Sequence, residues 1–215
     1  MDPDFWRARW REGRIGFHQA EINPHLLKWR SQIEARGRVL VPLAGKSRDL
    51  RWLAQDGEVV IGVELVEDAV RAFFEEQDVP YQRQPGQKGV RYEGDGIVFW
   101  AGDFFALPKE ALSGIDWVYD RAALIALPPA LRERYVGRLA ELLRPGAEIL
   151  LVALEHHPAL DGPPFYVDRA EVERLYAEHF VITELERVQG PADNPKFRQA
   201  GLEVMTEVVY RVQRR

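Results

Sequence analysis

The chain switches between two hydrophobic periods. From residue 38 onward, short apolar runs alternate with stretches in which apolar positions recur at helical spacing. The runs "RVLV" (38–41), "EVVIGVEL" (58–65), "IVFWAGD" (97–103), "IDWVYDR" (115–121) and "AEILLVAL" (147–154) read as buried strands. Two further strands are expected at "VITELERV" (181–188) and near 203–212. Helices are expected at 47–56, with Ser47 as N-cap, Leu50, Leu53 and Ala54 on one face and Gly57 at its end. Others are expected at 67–76, presenting Val70, Phe73 and Phe74 inward, at 129–143 on a Leu131, Tyr135, Leu139 and Leu142 face, and at 168–178. Residues 90–101 form a hairpin around Gly94-Asp95-Gly96, and 189–199 read as a polar loop.

Alternating strands and helices predict an α/β fold: one doubly wound, mostly parallel seven-stranded sheet with helices on both faces. The last two strands have only a loop between them, so the final strand is expected antiparallel. No linker or internal repeat interrupts the pattern, and a single domain over 1–215 is expected.

Composition changes this picture mainly by exclusion. Hydrophobic residues make up 46% and charged residues 29% of the 215, and the net charge is -5. That balance argues against a nucleic-acid partner. There is no cysteine, which excludes disulfides, thiolate metal ligands and a cysteine nucleophile. His156 and His157 are neighbours on a strand and point apart, so no metal site is expected. No apolar run approaches the ~20 residues of a membrane span. The N-terminal "MDPDFWRARWREGR" lacks an apolar signal core. A cytoplasmic monomer is the expectation.

Ligands of doubly wound sheets bind beyond the carboxyl ends of the strands. The first such end reads "VPLAGKS". A phosphate loop would need a glycine five positions before Gly45, and Leu40 stands there, inside the strand. A dinucleotide fingerprint would need three glycines where there is one. Glu64 follows Gly45 by 19 positions at the second strand end, where an acid accepts ribose hydroxyls. The third end offers Asp103 and Phe104 to an adenine ring, and the fourth offers Asp120 and Arg121. Taken singly, each has a plainer reading: a turn or cap acid, a core ring, a surface ion pair. Together they fit a nucleoside without phosphates, and S-adenosylmethionine is such a ligand. Trp6 and Trp10 share a helix face, so residues 1–30 are expected to fold over the cofactor as a lid.

The stretch "VPLAGKSRDLRWLAQDGEVVIGVELVEDAVRAFF" resembles the thiopurine S-methyltransferase family, as do "FWRARWREGRIGFHQAEINPHL", "GDFFALP", "VYDRAALIALPP" and "GPPFYV". The resemblance covers residues 5 to about 212 in order and is nearer the bacterial branch. Ala44 stands where the family often has cysteine. The family fold is the class I methyltransferase sheet. The resemblance implies that Trp10, with Trp6, packs on the cofactor's methionine tail and that Leu43 and Gly45 approach through backbone. It implies that Glu64, with Leu65 beside it, takes the ribose, and that Asp103 and Phe104 surround the adenine. Arg121 is expected near both cofactor and acceptor, as the residue favouring the thiolate. Phe17, Arg121 and a basic residue of the 189–200 loop, Lys196 or Arg198, are expected to meet the substrate.

The implied reaction is S-methylation of aromatic and heterocyclic thiols such as thiopurines, with S-adenosyl-L-homocysteine as the other product. Selenium or tellurium species are included as acceptors. An aromatic thiol already ionised near neutral pH needs no dedicated base, which fits a sequence without a Ser-His-Asp or Cys-His arrangement. Two other readings stand beside it: a methyltransferase for a halide or small thiol, and a non-catalytic nucleoside-binding module.

Overall fold

The computed structural model describes residues 3–160, 162–192 and 195–215, apart from the side chains of Pro195 and Lys196. The chain forms two compact units, one ending at Tyr119 and the other running from Asp120 to Arg215.

The first unit begins with α1 (Pro3–Arg11) and α2 (Pro24–Trp29). Asn23 caps α2, its side chain accepting from the amides of His25 and Leu26, and Pro24 takes a position that needs no N–H. There follow β1 (Arg38–Pro42), α3 (Asp49–Gln55), β2 (Val59–Glu64), α4 (Glu67–Glu76), β3 (Gln82–Gly86), β4 (Gly89–Gly94), β5 (Ile97–Ala101) and β6 (Trp117–Asp120). The strand order is β3-β4-β5-β2-β1-β6. The β5–β2, β2–β1 and β1–β6 pairs are parallel, and the two hairpin pairs at the β3 edge are antiparallel.

After the first residue, β1 and β2 are buried throughout, as continuous apolar runs require. A Cβ on Gly62 would fall 2.8 Å from Leu50 of α3 and 2.9 Å from Phe99 of β5, so only glycine lets those elements close on β2. α4 has the expected bounds and buries Val70, Phe73 and Phe74.

The second unit contains α5 (Ala123–Ala126), α6 (Pro129–Leu142), β7 (Glu148–His156), α7 (Arg169–Tyr176), β8 (Phe180–Pro191), α8 (Pro195–Gln199) and β9 (Val204–Arg214). β9 pairs antiparallel with both β7 and β8, as expected of the final strand.

Three expectations are corrected. The described residues carry nine strands, not seven, because the hairpin arm β4 joins the sheet and β3 pairs with it. β3 is "QRQPG", exposed at every position, so it has no apolar period to betray it. Of the expected α6 face, Tyr135 and Leu139 are buried, whereas Leu131 and Leu142 are half-buried and Arg132, Val136 and Ala140 complete the buried set. Arg132 turns inward because its guanidinium finds the carbonyl oxygens of Leu127 at 3.1 Å and Tyr166 at 3.4 Å, and the Glu171 carboxylate at 3.2 Å. The 189–199 loop is strand through Pro191 and helical from Pro195.

Candidate active site

In the first unit the turn after β1 is built from two left-handed residues, Leu43 at φ 50° and Gly45 at φ 58°. Glycine takes this conformation freely, whereas a leucine does so under strain, a cost that tends to be kept where a backbone must present something. The turn is held by Ala44 N donating to Val63 O at 3.0 Å. Gly45 N donates to Glu64 Oε2 at 2.9 Å. Val66 N donates to the other carboxylate oxygen, Oε1, also at 2.9 Å. Glu64 is only 7% exposed. Burial pushes its carboxyl up from the usual range, and the amides of Val66, Gly45 and Leu65 partly offset that. A carboxylate has roughly four acceptor positions, so these amides leave room for a hydroxyl donor.

The third strand end is tied to the second: Gly102 N donates to Glu64 O at 2.8 Å. Asp103 follows, exposed, with its Oδ1 accepting from Phe105 N at 2.9 Å. Phe104 is 3% exposed and sits edge-on to Phe105. Its side chain packs in the core, and Asp103 is the exposed group of the pair. Leu65 is half-buried beside Glu64.

Trp10 covers the Gly45 turn. A Cβ built on Gly45 would lie 3.3 Å from the Trp10 ring, tighter than ordinary contact, so this glycine serves both its backbone angle and the overlying indole. Phe17 meets Trp10 at 5.8 Å and Trp6 at 5.7 Å, both edge-on. Trp6 is half-buried, and its indole N–H has no partner among the described residues. No residue of α1 is fully buried, so this cap is held by ring contacts rather than by a core. Lys46, the lysine of the rejected phosphate motif, pairs with Glu76 at 2.6 Å.

Arg121, half-buried, follows β6 in the second unit. Asp120 before it is fully buried, accepting from Ala123 N at 2.8 Å and the Tyr135 hydroxyl at 2.7 Å. Burial pushes its carboxyl up to about 6. The backbone of Lys196 lies in α8, and its side chain lies outside the described residues. The structure therefore brings together Trp10, Leu43, Gly45, Glu64, Leu65 and Asp103 at adjoining strand ends, with Trp6 and Phe17 behind Trp10. Arg121 and Lys196 are placed by elements of the other unit.

Sequence reasoning missed Asp49, which is 1% exposed. It accepts from Asn23 N at 2.9 Å and from the Tyr119 hydroxyl at 3.1 Å, fixing the root of the N-terminal segment to the sheet. In sequence it looks like any acid in a first helical turn, and its partners lie 26 and 70 positions away. Among the described residues there is no group of three or more metal-type ligands and no helix long and apolar enough to cross a membrane.

A family model described as thiopurine S-methyltransferase matches residues 1–215. The chain is 46% identical over 216 residues to the thiopurine S-methyltransferase of Pseudomonas fluorescens (strain Pf0-1), covering 99% of each. Among solved structures, one concerned with converting a disulfide bond into a thioacetal group in echinomycin biosynthesis is similar at TM-score 0.69 and 17% identity, over 99% of this chain and 93% of that one. The Burkholderia thailandensis 1,6-didemethyltoxoflavin-N1-methyltransferase, with bound S-adenosylhomocysteine, is similar at TM-score 0.64 and 19% identity, over 97% and 86%. At such identities these two show the fold alone, and it is the class I methyltransferase fold with a mostly parallel central sheet.

Proposed function

We propose that this chain, which belongs to the thiopurine S-methyltransferase family, moves a methyl group from S-adenosylmethionine to the sulfur of aromatic and heterocyclic thiols such as thiopurines. The observation that carries the reading within the fold is the Glu64 carboxylate, buried and aimed by the amides of Gly45 and Val66 with acceptor capacity left over. A ribose diol is the donor pair that fits it. The cradle also suits a phosphate-free nucleoside, because the β1 turn presents backbone beneath Trp10 and its one lysine is committed to Glu76.

S-adenosylmethionine, when bound, supplies a methyl group activated by a positively charged sulfur. The residues hold it and exclude water. Glu64 takes the ribose hydroxyls, with Leu65 alongside. Leu43 and Gly45 approach through backbone, and Asp103 with Phe104 borders the adenine. Trp10 and Trp6 close over the methionine tail as part of a lid formed by residues 1–30 on a single domain of 1–215. The acceptor thiolate contributes the electron pair of the new carbon–sulfur bond, so no side chain need remove a proton during transfer. S-adenosyl-L-homocysteine and a methyl thioether are the products. Arg121 favours the thiolate, and Phe17 and Lys196 lie on the acceptor side. The protein works as a cytoplasmic monomer on small molecules, with selenium or tellurium species as further acceptors. Its net charge of -5 supports the exclusion of nucleic acid.

The test is an acceptor panel with S-adenosylmethionine: a thiopurine, a thiophenol, selenite, tellurite and iodide. Methylation of both thiols, and of neither when Arg121→Ala replaces the parent, supports the assignment. A parent that binds the cofactor and methylates only iodide contradicts it.

A further inference from the structure

Three neighbouring strand ends of the first unit give the ligand a direction. Across the sheet they lie in the order β5, β2, β1. Asp103 follows β5, Glu64 ends β2, and the Gly45 turn follows β1. A nucleoside with its adenine at Asp103 and its ribose at Glu64 therefore carries its 5′ substituent on toward the β1 end. Trp10 stands there, its ring 3.3 Å from where a Cβ on Gly45 would be.

The helix face around Trp10 holds two donors that the fold leaves unused. In α1, Trp6, Arg9 and Trp10 are spaced i, i+3 and i+4 and share one face. All three are half-buried, while Asp4, Arg7 and Arg11 are exposed. The Trp6 indole N–H and the Arg9 Nε–H are both covered from water, and neither has a hydrogen-bond partner among the described residues. An unmade buried hydrogen bond disfavours folding, more so at a charged group, so the pair calls for an explanation. Arg9 rests on Phe5, its guanidinium carbon 5.3 Å from the ring centre. Burial pushes its pKa down, Arg14 adds to that, and Glu12 offsets it in part. The face is not sealed. Phe5 and Phe17, which flank Trp6, are 38% and 36% exposed, and α1 fully buries no residue, so little holds it against shifting onto a ligand. A guanidinium and a neutral N–H, both unserved, are donors suited to an anion.

We propose that Arg9 and the Trp6 indole N–H together bind the carboxylate of the cofactor's amino-acid tail, and that this contact draws α1 closed over the β1 end. The proposal rests on the cofactor placement above and adds to it the group that recognises the tail. Closing α1 without the carboxylate shuts two donors away unserved, and closing it on the carboxylate serves both. The tail's ammonium is repelled by Arg9, so the carboxylate is the end that turns toward α1.

The experiment compares binding of S-adenosyl-L-homocysteine with that of 5′-methylthioadenosine, which keeps the adenosine and the sulfur and lacks the amino-acid tail. Arg9→Met keeps the aliphatic stem and removes the charge. Trp6→Phe keeps an edge-on ring and removes the N–H. Each should weaken S-adenosyl-L-homocysteine about tenfold, the low end for a hydrogen bond to a charged group, and change 5′-methylthioadenosine by less than about twofold. Equal losses for the two ligands, or no loss for either, overturn the proposal. Variants that bind S-adenosyl-L-homocysteine as the parent does, and lose kcat/KM only for a carboxylate-bearing thiol such as 2-mercaptobenzoate, assign the anion to the acceptor and overturn it too.

Should a variant fail to fold, proton NMR of the unaltered protein decides. The Trp6 indole N–H should move downfield on saturation with S-adenosyl-L-homocysteine and hold still with its decarboxylated form. A resonance that responds alike to both overturns the proposal. A parent that shows the expected binding pattern but methylates no thiol defeats the S-methyltransferase reading alone and leaves this one standing.

Discussion

Replacing Glu64 by glutamine keeps the side chain's shape and removes its charge. In the parent, Oε2 holds Gly45 N and Oε1 holds Val66 N, both at 2.9 Å. A carboxamide has one oxygen, so one of those amides must face an NH2 group. The β1 turn or the start of α4 is then left with an unserved donor at a buried position. For the cofactor, the change replaces an ionised acceptor by a neutral one. Hydrogen bonds to charged groups contribute about 1.5–3 kcal/mol and neutral ones about 0.5–1.5, so the difference of about 1–1.5 kcal/mol should weaken S-adenosylhomocysteine binding by about 5- to 12-fold for each bond affected.

The same carboxylate makes binding pH-dependent. Burial raises its folded pKa, so its protonated form is favoured in the folded protein. Its contribution to stability is full in acid and is lost as pH rises through the folded pKa. Ribose hydroxyls prefer the ionised form, so cofactor affinity should rise over that same range. Calorimetry with S-adenosylhomocysteine at several pH values is the assay. Glu64→Gln should both weaken binding and flatten its acid-side dependence. Equal affinity of parent and variant at neutral pH would refute the ribose role.

Other perturbations separate the parts of the structure. Trp10→Ala should raise the cofactor dissociation constant, and hydrogen exchange in residues 5–18 of the parent should slow when cofactor is present; equal exchange with and without it would exclude the lid. Glu58→Ala strands the buried Arg30, whose guanidinium pairs with Glu58 and lies 4.3 Å over Trp117. That should cost about 3–5 kcal/mol in urea unfolding, and a loss under about 1 kcal/mol would show the pair to be dispensable. Asp120, at about 6 in the fold against 3.8 normally, should contribute about 3 kcal/mol of stability in acid that is lost as pH rises from about 4 through 6. Urea unfolding of Asp120→Asn should lack that component, and identical pH profiles for parent and variant would count against it.

Much of this was legible in the sequence where one face or one strand end fixes the answer. The bounds of α4 follow from Val70, Phe73 and Phe74, which bury as the spacing requires. The separation of 19 positions between Gly45 and Glu64 marked Glu64 as an acid at a strand end, and the structure adds a direct bond between the two that the spacing did not foretell. What escaped depends on partners distant in sequence. Arg132 takes a core position because Glu171 and two loop carbonyls receive it. β3 exists because β4 offers it a ladder, not because "QRQPG" favours a strand. In sequence His156 was only one of two neighbouring histidines that point apart on a strand. Its actual setting is the Pro158 carbonyl and two rings brought from elsewhere in the fold.

The most direct test of the central claim follows the methyl group. The purified protein is incubated with methyl-labelled S-adenosylmethionine and a thiopurine, and both products are identified by mass. Label on the thiopurine sulfur, matched one for one by S-adenosyl-L-homocysteine, is the predicted result. Tight cofactor binding with no label on sulfur, or label only on a ring nitrogen, would contradict S-methyl transfer.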